Sequence, residues 1–114
     1  RYGDVSAELE AVRAAGLHIW NPPIDLKDDL EEVAALSVAL DLLLGQPNAT
    51  AGLASACGAE WWAFTTPDGW LTFGSEGLPT FPRARVFRLA DMENWGPLMQ
   101  EVRQALDERI RNGA

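Results

Sequence analysis

A polar turn, Gln46-Pro47-Asn48-Ala49-Thr50, follows directly on the apolar run Leu42-Leu43-Leu44-Gly45. It opens a stretch built from small residues, with Ala49, Ala51, Gly52, Ala54 and Ala56 close together. This combination can hold an anion. The first turn of a helix offers free backbone N–H groups and the positive end of the helix dipole, which suits a phosphate or diphosphate. Asn48 or Thr50 can add a side-chain hydrogen bond, and small neighbours let a ligand come close to the backbone. The same residues also have a plainer explanation. Small side chains permit tight helix-on-sheet packing, and Asn48 is a good N-cap in any helix. Both explanations stand at this point.

Other chemistry-bearing residues are more dispersed. Trp70 sits in the Gly- and Pro-rich stretch 67–82 and can stack on a sugar or a base, or pack within its loop. Asp25, Asp28 and Asp29 cluster, but Asp28 has a capping role open to it, and no acid/base pair can be argued from the group. Arg83, Arg85 and Arg88 flank an apolar pair, Val86-Phe87; surface pairing with acids is the expectation, with Arg85 the exception that could meet phosphate. His18 lies between Leu17 and Ile19 with no metal constellation around it, so no metal site is expected. Cys57, inside the small-residue stretch, reads as a buried small hydrophobe and not a nucleophile. No catalytic residue is assigned.

Composition bounds the class. The chain has 114 residues, 47% of them hydrophobic, which suits a single domain, residues 1–114, with a real core. The formal net charge of −8 argues against nucleic acid or an anionic membrane surface as partner. No apolar run approaches the roughly 20 residues of a membrane helix. A single cysteine excludes an intrachain disulfide framework and points to a reducing cytoplasm. The sequon Asn48-Ala49-Thr50 is discounted for the same reason. The first residue is Arg1 and not Met, so a segment of a larger protein is expected.

The elements that must position these residues follow from patterning. Residues 4–15 read as a helix with Val5, Leu9 and Val12 on one face, capped by Asp4 or Ser6 and ended by Gly16. Residues 17–20 read as a short strand. A second helix starts at Asp28, with Glu31 completing a capping box, and carries Leu30, Val33, Ala34, Ser37 and Leu40. Residues 41–45 read as a strand covered on both faces. The small-residue helix spans 48–57. Residues 60–66 form the next strand, with Trp61 and Trp62 on opposite faces, mostly in the core. Residues 85–88 form a last strand. Asn94 is placed as cap of a final helix with Pro97 in its first turn, Trp95 stapling it, and Leu98, Val102, Leu106 and Ile110 on its apolar face. The alternation predicts an α/β, Rossmann-like three-layer domain: a parallel sheet of about four strands, helices on its faces, and right-handed crossovers. In such sheets ligands bind beyond the carboxyl ends of the strands, where 45–50 lies.

The block "IDLKDDLEEVAALSVALDLLLGQPNATAGLASACGAEWWAF", followed by "PDGW" and "FPRARVFR", resembles the carboxyl-terminal half of bacterial GT-B glycosyltransferases. These are the enzymes related to heptosyltransferases and often found behind tetratricopeptide repeats. The opening Tyr2-Gly3-Asp4 is similar to the Tyr-Gly-Asp that follows the first strand of that half. The resemblance covers nearly the whole chain and implies a half-enzyme that holds a nucleotide diphosphate sugar as substrate, with no further cofactor. Gln46, Asn48, Ala49 and Thr50 would meet the diphosphate. Asp25 and Lys27, in the loop 22–27, would lie near the base or ribose. Trp70, in the loop 66–70, would face a cleft against an amino-terminal half that carries the acceptor site. Without that half, the chain should not turn over.

Where heptosyltransferase-like members carry Asp-Thr at the turn and a His one helical turn later, this chain has Pro47-Asn48 and Gly52. That difference keeps a second reading open. It is a non-catalytic interaction domain of a tetratricopeptide-repeat protein, with the fold retained and the site lost. A flavodoxin-like or receiver domain is the third reading; its acidic pair and late lysine cannot be placed.

Overall fold

The computed structural model describes residues 4–113, so Arg1, Tyr2 and Gly3 of the opening motif lie outside the described residues. Helices α1 (Ser6–Ala14) and α2 (Leu30–Ala39) precede strand β1 (Leu43–Gly45). Helix α3 (Ala49–Ala56), strand β2 (Trp61–Thr65), a single 3-10 turn (Trp70–Thr72), strand β3 (Arg85–Arg88) and helix α4 (Gly96–Arg111) follow. The strands form one parallel sheet in the order β1-β2-β3, so chain order and sheet order coincide. Leu43 pairs with Trp61 and Trp62 with Arg85.

The period-two alternation of β2 divides the core. Trp62 points to one face and packs with Phe87, Leu89, Leu98, Val102 and Ala105, so α4 covers that side. The Trp62 and Phe87 rings lie 5.3 Å apart. Trp61 and Ala63 point to the other face, with Ala51 of α3 and Leu78 of the β2–β3 connection. Both crossovers, one a helix and one an irregular chain, therefore lie on the same side of the sheet. Three consecutive parallel strands joined by crossovers of one hand require this. The result is an α/β layered domain with a small parallel sheet flanked by helices. Helix α2 packs on α3 and buries Val33 and Ser37, whose hydroxyl donates to the Val33 carbonyl at 2.7 Å.

The small residues of α3 are explained in part by this packing. Ala51 and Ala54 are buried, Ala51 against the Trp61 face of the sheet, while a Cβ at Gly52 would make only ordinary contact with the Phe81 ring, at 3.5 Å. Wider side chains at Ala51 and Ala54 would push the helix off its neighbours.

Several local expectations are corrected. Residues 17–20 form no strand: no neighbouring edge pairs with them, and Leu17 and Trp20 stand exposed, Trp20 at 70%. The sheet accordingly has three strands among the described residues, not four. Strand β1 is not covered on both faces. It is an edge strand of three residues, and Leu44 is exposed. The cap of α2 is Asp29, not Asp28; its carboxylate accepts from the Glu32 amide at 3.2 Å. The shift arises because Asp25 accepts from the amides of Lys27 and Asp28, which spends Asp28 on the preceding turn. Val5 is the N-cap of α1 without a side-chain bond, while Asp4 accepts from the Ser6 amide at 2.9 Å. Trp95, not Asn94, is the N-cap of α4; Asn94 still accepts from the Gly96 amide, and Trp95 packs against the core. Ile110 is exposed because the α4 contact surface ends with Ala105 and Leu106. Cys57 is exposed too, since it lies past the buried turn of α3.

Candidate functional site

The turn at the end of β1 is shaped by its own residues. Gly45 takes a φ of +155°, a conformation that side-chain-bearing residues avoid, and its carbonyl accepts from the Trp61 indole at 3.2 Å. Pro47 then directs the chain into α3. Asn48 is extended, its side-chain oxygen accepts from the Ala51 amide at 2.8 Å, and its carbonyl accepts from the Gly52 amide at 2.9 Å. Helix geometry leaves the amides of Ala49 and Thr50 for water or an external acceptor.

A second turn rises from the end of β2. The Gly69 amide donates to the Thr66 carbonyl at 3.1 Å. A Cβ at position 69 would approach that carbonyl oxygen to 3.2 Å, so the turn needs glycine for space. The turn is knitted from within: Thr72 donates to the Gly69 carbonyl at 2.9 Å, Ser75 to the Thr72 carbonyl at 2.7 Å, and Arg88 to the Ser75 carbonyl. This framework lifts Trp70 to the rim, where it is 74% exposed and meets Phe73 edge-on at 6.4 Å.

The two turns enclose a cleft of about 200 Å³ at the carboxyl edge of the sheet, lined among others by Gln46, Thr65, Thr66, Asp68 and Trp70. Thr65 is only 3% exposed, and its hydroxyl oxygen has no hydrogen-bond partner. A buried polar atom without a partner is costly, on the order of 1–3 kcal/mol, so this hydroxyl is a point of stored cost beside the cleft.

A second cleft, of about 220 Å³, lies beside the amino end of α3, lined by Lys27, Ala49 and Thr50 over an apolar floor that includes Leu26, Leu30 and Leu53. Asp25 lines neither cleft. Its carboxylate holds the turn that carries Lys27, and the amides of Asp28 and then Lys27 keep its carboxyl below the usual carboxylate range. The predicted site residues thus divide. Gln46 and Trp70 share the first cleft, Lys27, Ala49 and Thr50 share the second, and Asn48 braces the helix between them. Thr65 was not anticipated, and Asp68 only as a member of the loop 66–70 expected at a cleft. Asp68 had a visible signal in the quartet Pro67-Asp68-Gly69-Trp70; Thr65 had none, because its orphaned hydroxyl is a property of tertiary packing.

Two of the arginines around β3 make contacts other than the expected pairing with surface acids: Arg88 donates to the Ser75 carbonyl, and Arg85 meets aromatic rings. Arg85 lies over the Trp62 and Phe87 rings, 5.0 and 4.9 Å from their centroids. Elsewhere, Arg109 bridges Glu60 at 2.6 Å and donates to the Asp41 carbonyl at 3.1 Å, tying α4 to the entrances of β1 and β2. Among the described residues no three His, Cys, Asp or Glu side chains gather as metal ligands, and no helix is long and apolar enough to cross a membrane.

No protein-family profile matches the chain, and no solved structure matches it. A curated relative does: the chain is similar to Protein FlbA of Caulobacter vibrioides, 41% identical over 108 residues. That match takes in 93% of this chain but 18% of FlbA, so the domain corresponds to under a fifth of the relative's length.

Proposed function

We propose that this domain is the donor-binding half of a nucleotide-sugar glycosyltransferase. The observation that carries the reading is the pair of clefts flanking the amino end of α3 at the carboxyl edge of a parallel sheet. One is lined by Lys27, Ala49 and Thr50, the other by Gln46, Asp68 and the exposed indole of Trp70. A diphosphate leaving group gains from helix-terminus amides and a nearby ammonium without further machinery. The likeness of the chain to the GT-B carboxyl-terminal half supports the same reading. Catalysis would require an acceptor-binding amino-terminal half, with tetratricopeptide repeats as a further neighbour, so the isolated domain binds donor without turning it over. The free, exposed Cys57 suits the reducing cytoplasm in which such enzymes meet their donors.

The test is an NMR titration with UDP, GDP, ADP and CMP. Saturable shifts of the Ala49, Thr50 and Lys27 amides with one of them support the reading. A folded domain that responds to none at millimolar concentration refutes it.

A second reading, a non-catalytic interaction domain, is favoured by one separate observation. Helix α1 buries no residue, and Leu17 and Trp20 after it stand in the open. That reading expects concentration-dependent association in place of nucleotide shifts.

A further inference from the structure

The turn after β2 holds three groups outward and satisfies none of them. Asp68 is exposed at the first cleft, and among the described residues its carboxylate accepts no hydrogen bond and pairs with no cation. Trp70 and Phe73 stand 74% and 69% exposed, edge-on to each other. Phe73 is held in the left-handed region at φ +48°, which no other non-glycine residue described here adopts. A bulky residue keeps that backbone only where surrounding bonds impose it. The Phe73 amide donates to the Trp70 carbonyl at 3.0 Å, and the Ser75 amide to the Thr72 carbonyl at 2.8 Å. This constraint gains no burial: it keeps one aromatic ring in water beside another. The two clefts also differ in charge. Lys27 lines the second, whereas Asp68 is the charged side chain of the first, and Arg88, bound to the Ser75 carbonyl, is not part of its lining.

We infer that the first cleft and its aromatic rim are a docking site for an arginine side chain carried by a basic segment of a partner protein. The guanidinium meets the free Asp68 carboxylate and lies flat against the Trp70 indole. An aromatic face and a carboxylate both attract positive charge, and they reinforce each other when they flank the same space. Arginine fits better than lysine, because its planar fork stacks on a ring while it bonds a carboxylate through two N–H groups. Phe73 widens the apolar rim for the alkyl stems of residues beside that arginine. The volume, about 200 Å³, suits a single side chain reaching in from outside. The net charge of −8 draws a basic protein segment toward the domain and repels a polyanion that would compete for it. The inference goes beyond the donor-domain reading, which places a diphosphate beside Lys27 and α3, and it stands or falls separately.

The experiment uses a capped Gly-Arg-Gly peptide and its citrulline counterpart, which keeps the shape and loses the charge, with no nucleotide present. The domain is titrated with each at low salt while the Trp70 indole and the amides of residues 66–73 are followed by NMR. The arginine peptide is expected to shift these signals saturably at millimolar concentration and to leave the Ala49 and Thr50 amides in place; the citrulline peptide should move neither set. Asp68→Asn should weaken the arginine peptide about tenfold and Trp70→Ala several-fold. Asp107→Asn, which removes the same charge from the exposed side of α4, should leave its affinity within about twofold, because only a carboxylate at the cleft bonds the guanidinium. Asp68→Asn and Trp70→Ala should melt with the parent, since the first residue bonds nothing among the described residues and the second is exposed. Equal response to arginine and citrulline, equal weakening by Asp68→Asn and Asp107→Asn, or silence toward the arginine peptide overturns the inference. Nucleoside diphosphate shifts at Ala49, Thr50 and Lys27 bear on the donor reading alone, so either idea can fail while the other survives.

Discussion

The two faces of the sheet are closed in different ways. On one, α4 lays Leu98, Val102 and Ala105 over Trp62 and Phe87, and large side chains meet large side chains. On the other, an eight-residue helix of small residues shares the work with the irregular connection 66–84, which contributes Leu71, Leu78 and Phe81. The first face is sealed. The second has a cleft on each side of the α3 amino end. A long amphipathic helix buries area efficiently and leaves no room. A short helix of small residues approaches the sheet closely, but its ends and the neighbouring loop cannot fill the space around it, and that space is where a ligand can enter.

This contrast can be broken or sharpened by substitution. The largest effect is expected on the sealed face: Leu98→Ala should cost about 3 kcal/mol, the sum of lost transfer energy and a residual cavity. Urea denaturation should register the loss, while ligand-induced shifts at the clefts persist in the folded fraction. A variant that lost stability and cleft response together would join the two faces into one unit.

On the open face, Asn48→Ala removes the bond to the Ala51 amide and should cost about 1 kcal/mol. Unlike Leu98→Ala, it should also weaken binding at the cleft beside Thr50, because the first turn of α3 is a wall of that site. Equal binding by parent and variant would show that the cap is structural only.

The smallest effect concerns the turn at Asp25. Its carboxyl titrates below the ordinary value of 3.8 in the folded chain, through bonds from the amides of Asp28 and Lys27. A depressed folded value contributes stability that is present above the unfolded pKa and is lost as pH falls through the folded one. Acidification below about pH 3.8 should therefore loosen this turn, seen as faster amide exchange at Lys27 and Asp28. The amides facing α4 should not change over the same step.

How much of this was legible beforehand depends on the range of the signal. Asn48 could be placed as the cap of α3 because capping is settled within four residues, and the strand 85–88 because its apolar pair is bracketed by charge. The opposite facing of Trp61 and Trp62 followed from strand geometry alone. Residues 17–20 misled because a Leu-His-Ile-Trp run has strand composition, yet a strand exists only if an edge is offered to it, and no local pattern records that. The meeting of Lys27 with Thr50 depends on α2 packing against α3, and the orphaned Thr65 hydroxyl on everything around it. The site's polar turn was visible; its division into two clefts of unlike charge was not.

The coincidence of chain order and sheet order bears on synthesis at the ribosome. Each strand can pair with its predecessor as it emerges, so the sheet grows without waiting for a distant segment. Its Trp62 face, however, has no cover until α4 follows, and the stretch from Arg88 to Arg111 takes roughly one to five seconds to translate at about 5–20 residues per second. For that interval Trp62, Phe87 and Leu89 present an apolar surface to the cell. A nascent chain stalled before Gly96 should be a ready client for a holdase chaperone, and one released after Arg111 should not.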